Sequence, residues 1–237
     1  MFLTDEHKTE IKKHLGDLKN ETELILFSQN IGCQYCKETE ILLKELTETL
    51  NNIKLTVYNP VLDEEISKKY GITKETPVIA IKSESNPNSQ NVKFFGIPAE
   101  YEFTWLLSLI NMVSNDKYPL QPSTVENIRK IDQILEKNSA VLELIVLVTP
   151  SCPYCPIMTI NSTAFSLLAK NIKASLVEVV EFPEYAQEYS VMGVPKTVIK
   201  LKKKDGTEVN DSIEGALPEN KFMEKLLNFV EKNLENK

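Results

Sequence analysis

Residues 33–36 read Cys-Gln-Tyr-Cys and residues 152–155 read Cys-Pro-Tyr-Cys, and together they hold all four cysteines of the 237-residue chain. Each stretch follows a short apolar run and precedes a segment in which apolar residues recur at helical spacing. Two cysteines separated by two residues at such a turn can switch between a dithiol and a disulfide. The pattern therefore predicts two redox centres in one chain.

The two halves of the chain repeat each other. Cys152 follows Cys33 by 119 residues, and Gly215 follows Gly96 by the same interval. Further landmarks keep that offset within one residue, including a proline in each half. A fixed offset over most of a chain indicates duplication, and its length is that of a small domain. We therefore predict two tandem domains, over residues 1–116 and 117–237.

The sequence patterns predict the same α/β order of strands and helices in each half. Short apolar strands alternate with helical segments, and a hairpin and a final helix close each half. The first two strands of a half should run parallel through a right-handed crossover, and the hairpin should add antiparallel strands. The result is a mixed central sheet flanked by helices on both faces. The closing helices are predicted over 98–113 and 217–234, with a linker over 114–123.

Composition and charge argue against some classes of function. The net charge is −7 and Arg129 is the single arginine, which argues against a nucleic-acid partner. No apolar run approaches the roughly 18 residues that cross a membrane, and residues 1–18 do not resemble a secretory signal. We therefore expect a cytoplasmic protein with no membrane partner. Paired cysteines in that compartment are expected to be catalytic, redox-sensing or metal-binding.

The position of each cysteine predicts its role. The first cysteine of each pair is expected at a helix N-terminus, where free N–H groups and the helix dipole favour a thiolate. Cys33 and Cys152 are therefore the predicted nucleophiles. Cys36 and Cys155 should lie one turn further on, more deeply buried, and resolve the mixed disulfide.

The residues between the cysteines should support the motif. Pro153 suits an early helical position and stiffens its loop, while Gln34 leaves the first loop looser. This difference predicts unequal reduction potentials. Tyr35 and Tyr154 each offer a hydroxyl and a flat apolar surface, although simple packing would explain them equally well.

A proline follows each cysteine pair by about 40 residues. Pro77, preceded by Thr76, and Pro195, preceded by Val194, each stand just before a predicted strand. Proline is rare inside sheets because it lacks an N–H, so it belongs at a strand start or edge. A cis X–Pro bond in a tight turn is a common reason for such a residue.

With the paired cysteines, the prolines and the glycines Gly96 and Gly215, the chain resembles two thioredoxin folds in tandem. The second motif is of the glutaredoxin type, and the arrangement is similar to the protein disulfide oxidoreductases of thermophiles. The resemblance implies that Pro77 and Pro195 are cis and pack against the disulfides. It also implies that the backbones of Thr76 and Val194 bind an extended substrate.

The same resemblance implies the partners and the chemistry. The substrates would be proteins with disulfides or thiols, and a flavin-dependent thioredoxin reductase would donate electrons. No cofactor is expected beyond the redox-active disulfides themselves. One feature departs from thioredoxin, since Phe27 and Val146 stand where a buried acid precedes the first cysteine. A proton from the resolving cysteine must then pass to water or to another carboxylate.

Other interpretations of the cysteines stay open. Four cysteines could bind zinc, although zinc ribbons place their pairs far closer together than these. The pairs could be static structural disulfides. The chain could also be a tandem peptide-binding or chaperone module without catalysis. Use of glutathione is a further enzymatic variant, but no basic patch in the sequence supports it.

Overall fold

A computed structural model of the chain describes residues 2–235. Met1, Asn236 and Lys237 lie outside the described residues, so the outermost positions of the two predicted domains do as well. The strands are β1 (Thr22–Phe27), β2 (Ile53–Tyr58), β3 (Val78–Lys82), β4 (Val92–Phe95), β5 (Val141–Val148), β6 (Ile172–Glu178), β7 (Lys196–Lys202) and β8 (Glu208–Glu214).

The helices alternate with these strands as the sequence predicts. They are α1 (Asp5–Leu15), α2 (Cys36–Thr49), α3 (Glu64–Tyr70), α4 (Phe103–Asn115), α5 (Pro122–Lys137), α6 (Cys155–Leu168), α7 (Pro183–Glu188) and α8 (Glu219–Leu234). Two short 3₁₀ turns, over Pro87–Asn91 and Glu100–Glu102, flank β4.

The eight strands form one continuous sheet in the order β2-β1-β3-β4-β6-β5-β7-β8. Within each half the first two strands pair in parallel and the closing hairpin is antiparallel, as predicted. The two halves meet where β4 pairs in parallel with β6, with Val92 opposite Ala174 and Phe95 opposite Val177. The repeat did not predict this shared sheet, because nothing in one half specifies a strand of the other as its neighbour.

Alternate residues of the central strands enter two different cores. Leu24 and Leu26 belong to the larger core, which also takes side chains from α1, α2, α4, α5, α6 and α8. Ile25 and Phe27 point to the smaller core on the opposite face, beneath the segments around α3 and α7. A sheet covered on both faces explains why its central strands are apolar throughout. The predicted mixed sheet with helices on both faces is confirmed.

Two predicted boundaries were wrong. The closing helix of the first half does not begin at Pro98, since residues 96–99 are non-helical and α4 starts only at Phe103. Glu100 there adopts a left-handed φ of 50°, which no α-helix accommodates. The predicted linker over 114–123 is too long, because Ser114 and Asn115 are buried at the end of α4.

Those two buried residues anchor the end of α4 to the first half. The Ser114 hydroxyl bonds to that of Thr22 at 2.6 Å, and the Asn115 amide donates to the carbonyl of Leu15. Pro122 already occupies the first turn of α5, where its missing N–H costs nothing. The irregular stretch between the halves is therefore confined to residues 116–121, which includes the predicted boundary at 116/117.

Gly96 lies at the junction of the halves with a left-handed φ of 112°. A Cβ at this position would meet the Cβ of Glu178 and Oε1 of Glu181, each at 2.7 Å. Gly215, its counterpart in the repeat, has a φ of 78°, but a Cβ there would meet no described atom within 4 Å. Both glycines relieve backbone strain, whereas Gly96 alone of the two also makes room for the other half.

Gly96→Ala should therefore destabilise the protein more than Gly215→Ala. Both substitutions strain the backbone, but only the first adds a steric clash across the junction. We expect a difference of roughly 2 kcal/mol in the free energy of unfolding, measured by chemical denaturation of the two variants side by side. Equal losses would contradict the close approach at the junction.

Candidate active site

The two CxxC pairs lie at the carboxyl ends of β1 and β5, just before α2 and α6. Each pair is joined as a disulfide, with Cα atoms 5.6 Å apart in the first pair and 5.5 Å in the second. We call Cys33–Cys36 with its surroundings site 1, and Cys152–Cys155 with its surroundings site 2.

The second cysteine of each pair begins its helix and does not lie one turn inside it, as was expected. Cys36 and Cys155 are the first residues of α2 and α6, so Cys33 and Cys152 lie in the preceding turn and not inside the helix. At site 2 the Cys155 N–H is 3.4 Å from the carbonyl of Cys152, which closes a turn before the helix starts. Pro153 belongs to this turn, and Pro156 is the proline in the first turn of α6.

The first cysteine of each pair is the more accessible one. Cys33 is half-buried, while Cys36 has 3% of its surface exposed. Cys152 has 7% exposed and Cys155 none. A substrate disulfide can therefore approach the first sulfur of a pair more readily than the second. Site 1 is also the more open of the two sites.

Both predicted prolines stand directly before a strand, Pro77 before β3 and Pro195 before β7. The Thr76–Pro77 and Val194–Pro195 bonds are cis, and both prolines are buried. At site 2 the sulfur of Cys152 lies 3.7 Å from the carbonyl oxygen of Val194. Within residues 2–235 no hydrogen bond uses the backbone N–H of Thr76 or Val194. These half-buried groups are free to pair with an extended peptide.

The glycine that follows the last strand of each half donates a hydrogen bond to the proline turn. Gly96 donates its N–H to the carbonyl of Pro77 at 2.9 Å, and Gly215 donates to Pro195 at 2.8 Å. The repeat thus preserves a hydrogen bond as well as residue types. This bond ties each cis-proline turn to the residue that follows the last strand of its half.

The two tyrosines of the motifs have different surroundings. Tyr35 packs partly against the larger core, and its carbonyl accepts hydrogen bonds from both the N–H and the hydroxyl of Thr39. Tyr154 is 64% exposed beside site 2. Tyr35 therefore contributes to packing, whereas the ring of Tyr154 offers apolar surface to a partner.

Glu102 is a site residue that the sequence interpretation missed. It lies in the 3₁₀ turn before α4, in the first half of the chain, yet it faces α6 of the second half. Its Oε2 accepts a hydrogen bond of 3.0 Å from the hydroxyl of Thr159. That hydroxyl is also 3.4 Å from the carbonyl of Cys155. The Thr159 hydroxyl thus lies between the Glu102 carboxyl and the backbone carbonyl of the resolving cysteine of site 2.

Burial dominates the electrostatics of Glu102. The residue is 1% exposed, and its Oε1 has no hydrogen-bond partner among the described residues. Desolvation raises the pKa of Glu102 to about 7, and the hydrogen bond from Thr159 only partly opposes this. The folded protein therefore holds this proton more tightly than the unfolded chain. Its contribution to stability is complete below the ordinary pKa of glutamate and is lost as pH rises through about 7.

A comparison of the two halves of the repeat gives only weak evidence that Glu102 is special. At the equivalent position of the second half stands Lys221, which is exposed on α8. Thr159 likewise corresponds to Glu40, which pairs with Lys44 on the surface of α2. Such departures mark where the halves differ, but they do not show that Glu102 serves the site of the other half.

Two further features of the described chain concern metal binding and membrane spans. Within residues 2–235, no group of three or more His, Cys, Asp or Glu side chains is arranged to hold a metal ion. In the same part of the chain, no helix combines the length and the apolar character needed to cross a membrane.

Comparisons with known proteins support the fold assignment. A thioredoxin-domain family profile matches residues 142–228. The chain is similar to a protein disulfide oxidoreductase from Aeropyrum pernix, at 25% identity and a TM-score of 0.79 over 98% of this chain and 95% of that one. No curated protein sequence gives a significant match.

A second solved structure shares the whole architecture. The alkylhydroperoxide reductase protein AhpF of Enterococcus faecalis matches at 20% identity and a TM-score of 0.78, over 95% of this chain and 100% of that one. The chain therefore has the fold of two thioredoxin-like units in one sheet. Its two CxxC pairs at disulfide distance give it the structure of a thiol–disulfide oxidoreductase, and it resembles the Aeropyrum protein along nearly its full length.

Proposed function

We propose that this chain is a cytoplasmic protein disulfide oxidoreductase that reduces, forms or isomerises disulfides through both sites and so contributes to redox homeostasis. The observation that carries the proposal is the double arrangement at the ends of β1 and β5. Each half places a CxxC disulfide, with its more accessible cysteine first, beside a buried cis-proline whose neighbour has a backbone N–H unused within residues 2–235. The likeness to the Aeropyrum protein supports it.

The reduction of a substrate would take two exchange steps at each site. The thiolate of Cys33 or Cys152 attacks one sulfur of a substrate disulfide, which forms a mixed disulfide and expels the other substrate sulfur as a thiolate. Cys36 or Cys155 then attacks its partner cysteine, which releases the second substrate thiolate. The substrate gains two electrons and the enzyme pair is left as a disulfide. The reverse sequence oxidises substrate thiols.

Surface chemistry near both sites favours polypeptides as substrates. Ile31, two residues before Cys33, is 88% exposed, and Met192, two residues before Val194, is 95% exposed. With Tyr154 they put large apolar side chains beside both sites. Apolar groups exposed next to unused backbone donors suit an extended, partly unfolded chain. A flavin-dependent thioredoxin reductase is the proposed electron donor.

Glu102 is the proposed proton acceptor at site 2. The thiol of Cys155 must lose its proton before it can attack the mixed disulfide. The buried position six residues before the first cysteine holds no acid in either half, since Phe27 and Val146 occupy it. Glu102 lies next to the start of α6 and has a pKa of about 7, close to the range in which a base works best. The equivalent residue of the second half, Lys221, is an exposed cation on α8 and cannot take this role.

A second candidate function rests on the same exposed apolar side chains. They suit a module that holds non-native chains without chemistry, with disulfides that have a structural or regulatory role. The two functions separate when the attacking sulfurs are removed, because binding does not require them.

Replacing both predicted nucleophiles, Cys33→Ser with Cys152→Ser, should abolish insulin reduction at the expense of dithiothreitol or a thioredoxin reductase. Each single variant should keep the activity of its intact site, which provides the matched control. Full activity in the double variant would refute catalysis by these pairs. Loss of activity with retained suppression of aggregation would show that chain binding exists alongside the chemistry.

Glu102→Gln should slow site 2 alone. In a Cys33→Ser/Cys36→Ser background, where only site 2 reacts, the rate of insulin reduction should rise as pH increases through about 7, because only the carboxylate accepts a proton. The glutamine variant should lack that rise and be at least ~10-fold slower above it. The same substitution in a Cys152→Ser/Cys155→Ser background is the control and should change little. An unaltered pH profile at site 2 would exclude Glu102 as the acceptor.

A further inference from the structure

Residues 96–102, which we call the connecting segment, link the first half of the chain to site 2. The segment leaves β4 and ends at the 3₁₀ turn that contains Glu102. Its first residue, Gly96, is fixed by its bond to Pro77 and by the neighbouring β3–β4 pairing. The remaining residues pair with no strand of the described chain, so their position depends on other contacts.

Three hydrogen bonds tie residues 97–102 to more distant parts of the described chain, and all three reach the second half. The Ile97 N–H donates to Glu181 Oε1 at 2.7 Å. The Tyr101 N–H lies 3.3 Å from the carbonyl of Pro150, two residues before Cys152. Glu102 accepts the bond from Thr159 on α6. The Glu181 contact is the shortest of the three and lies closest to the point where the strand ends.

A tight turn aims Glu181 at the connecting segment. Glu178, at the end of β6, accepts hydrogen bonds from the N–H groups of Val180 and Glu181, at 3.1 and 2.7 Å. The absence of a side chain at Gly96 lets the Cβ of Glu178 and the carboxylate of Glu181 approach its backbone. This cluster therefore acts as a clamp on the start of the segment.

The first half contains the same turn without the clamp. Asn59, the counterpart of Glu178, accepts hydrogen bonds from the N–H groups of Val61 and Leu62. Leu62, the counterpart of Glu181, is 82% exposed and has an apolar side chain that accepts no hydrogen bond. The fold thus forms this turn without a carboxylate at its tip. Glu181 is not needed to build the turn, and what it adds is the bond to Ile97.

We propose that Glu181 is a positioning residue for site 2, which fixes the connecting segment through Ile97 so that Tyr101 and Glu102 reach the loop and helix of the Cys152–Cys155 pair. The proposal rests on the function proposed above, since it concerns thiol–disulfide exchange at that site. Glu181 acts on neither cysteine of site 2 directly. Its effect travels through the backbone from Ile97 to Glu102, which belongs to no strand.

The groups around Glu181 and Glu102 determine how the activity of site 2 depends on pH. Burial and the neighbouring Glu178 carboxylate raise the pKa of Glu181 to about 7, while the bond from Ile97 lowers it. The side of Glu181 that faces the first half meets the backbone of Gly96 and Ile97. Glu102 faces the Thr159 hydroxyl. If the segment loosens, Glu102 becomes hydrated and the pH at which site 2 gains activity should fall.

The test uses the full chain with Cys33→Ser and Cys36→Ser, so that only site 2 reacts. Glu181→Ala should lower the rate of insulin reduction at least fivefold and move the rise in the pH profile to lower pH. Glu181→Gln, which keeps an oxygen acceptor for Ile97, should restore the rate to within twofold. Glu184→Ala is the matched control, because it removes an exposed carboxylate three residues away and should leave both rate and profile unchanged.

Two outcomes would overturn the inference. Equal rates and pH profiles for Glu181→Ala and Glu184→Ala would show that the clamp does not position site 2, while the activity of the parent would leave the proposed function intact. An equal loss in a Cys152→Ser/Cys155→Ser background would show a general structural role. If Glu181→Ala does not fold, Glu178→Ala takes its place. It must then show the at least fivefold loss of rate, confined to site 2. An inactive parent would instead refute the function proposed for site 2.

Discussion

The parallel pairing of β4 with β6 is the contact on which the rest of the structure depends. It converts two repeated halves into one sheet and places the end of the first half beside the start of α6. Trp105 on α4 then donates its indole N–H to Thr163 on α6 at 2.8 Å, within a continuous core. The helix that carries Cys155 is thus packed against both halves, whereas α2, which carries Cys36, lies near the opposite end of the sheet.

This packing makes two similar sites unequal. Duplication supplied each half with a cysteine pair, a cis-proline turn and a closing glycine, and the bonds between glycine and proline are nearly identical. The differences arise where one half meets the other. Glu102 reaches site 2 from the first half, and the Glu178–Glu181 turn holds the segment that carries it. The residue equivalent to Glu102 in the second half, Lys221, is exposed on α8, and site 1 is the more open of the two.

Whether the sequence predicts a feature depends on how far apart along the chain the interacting residues lie. The order of elements in each half and the mixed sheet depend on local patterns that the repeat shows twice, and these predictions agree with the structure. The cis-prolines, which the family resemblance implied, are also present. Cys36 and Cys155 were expected one turn inside their helices, but each is the first helical residue, and at site 2 a turn bond between Cys155 and Cys152 precedes the helix. Pro98 was assigned to a helix because the contacts that keep the connecting segment irregular come from distant positions along the chain, at Pro150 and Glu181. Glu102 was missed for the same reason.

The central claim is that the chain holds two separate and unequal redox centres. Redox titration of the full chain, with thiols counted and each pair assigned through variants that lack the other, tests it most directly. The account predicts four thiols on full reduction and two distinct midpoint potentials, separated by about tens of millivolts within the range of thioredoxin-like pairs. Coincident midpoints would contradict the inequality of the sites. Release of thiols from a single pair would contradict the presence of two redox-active pairs.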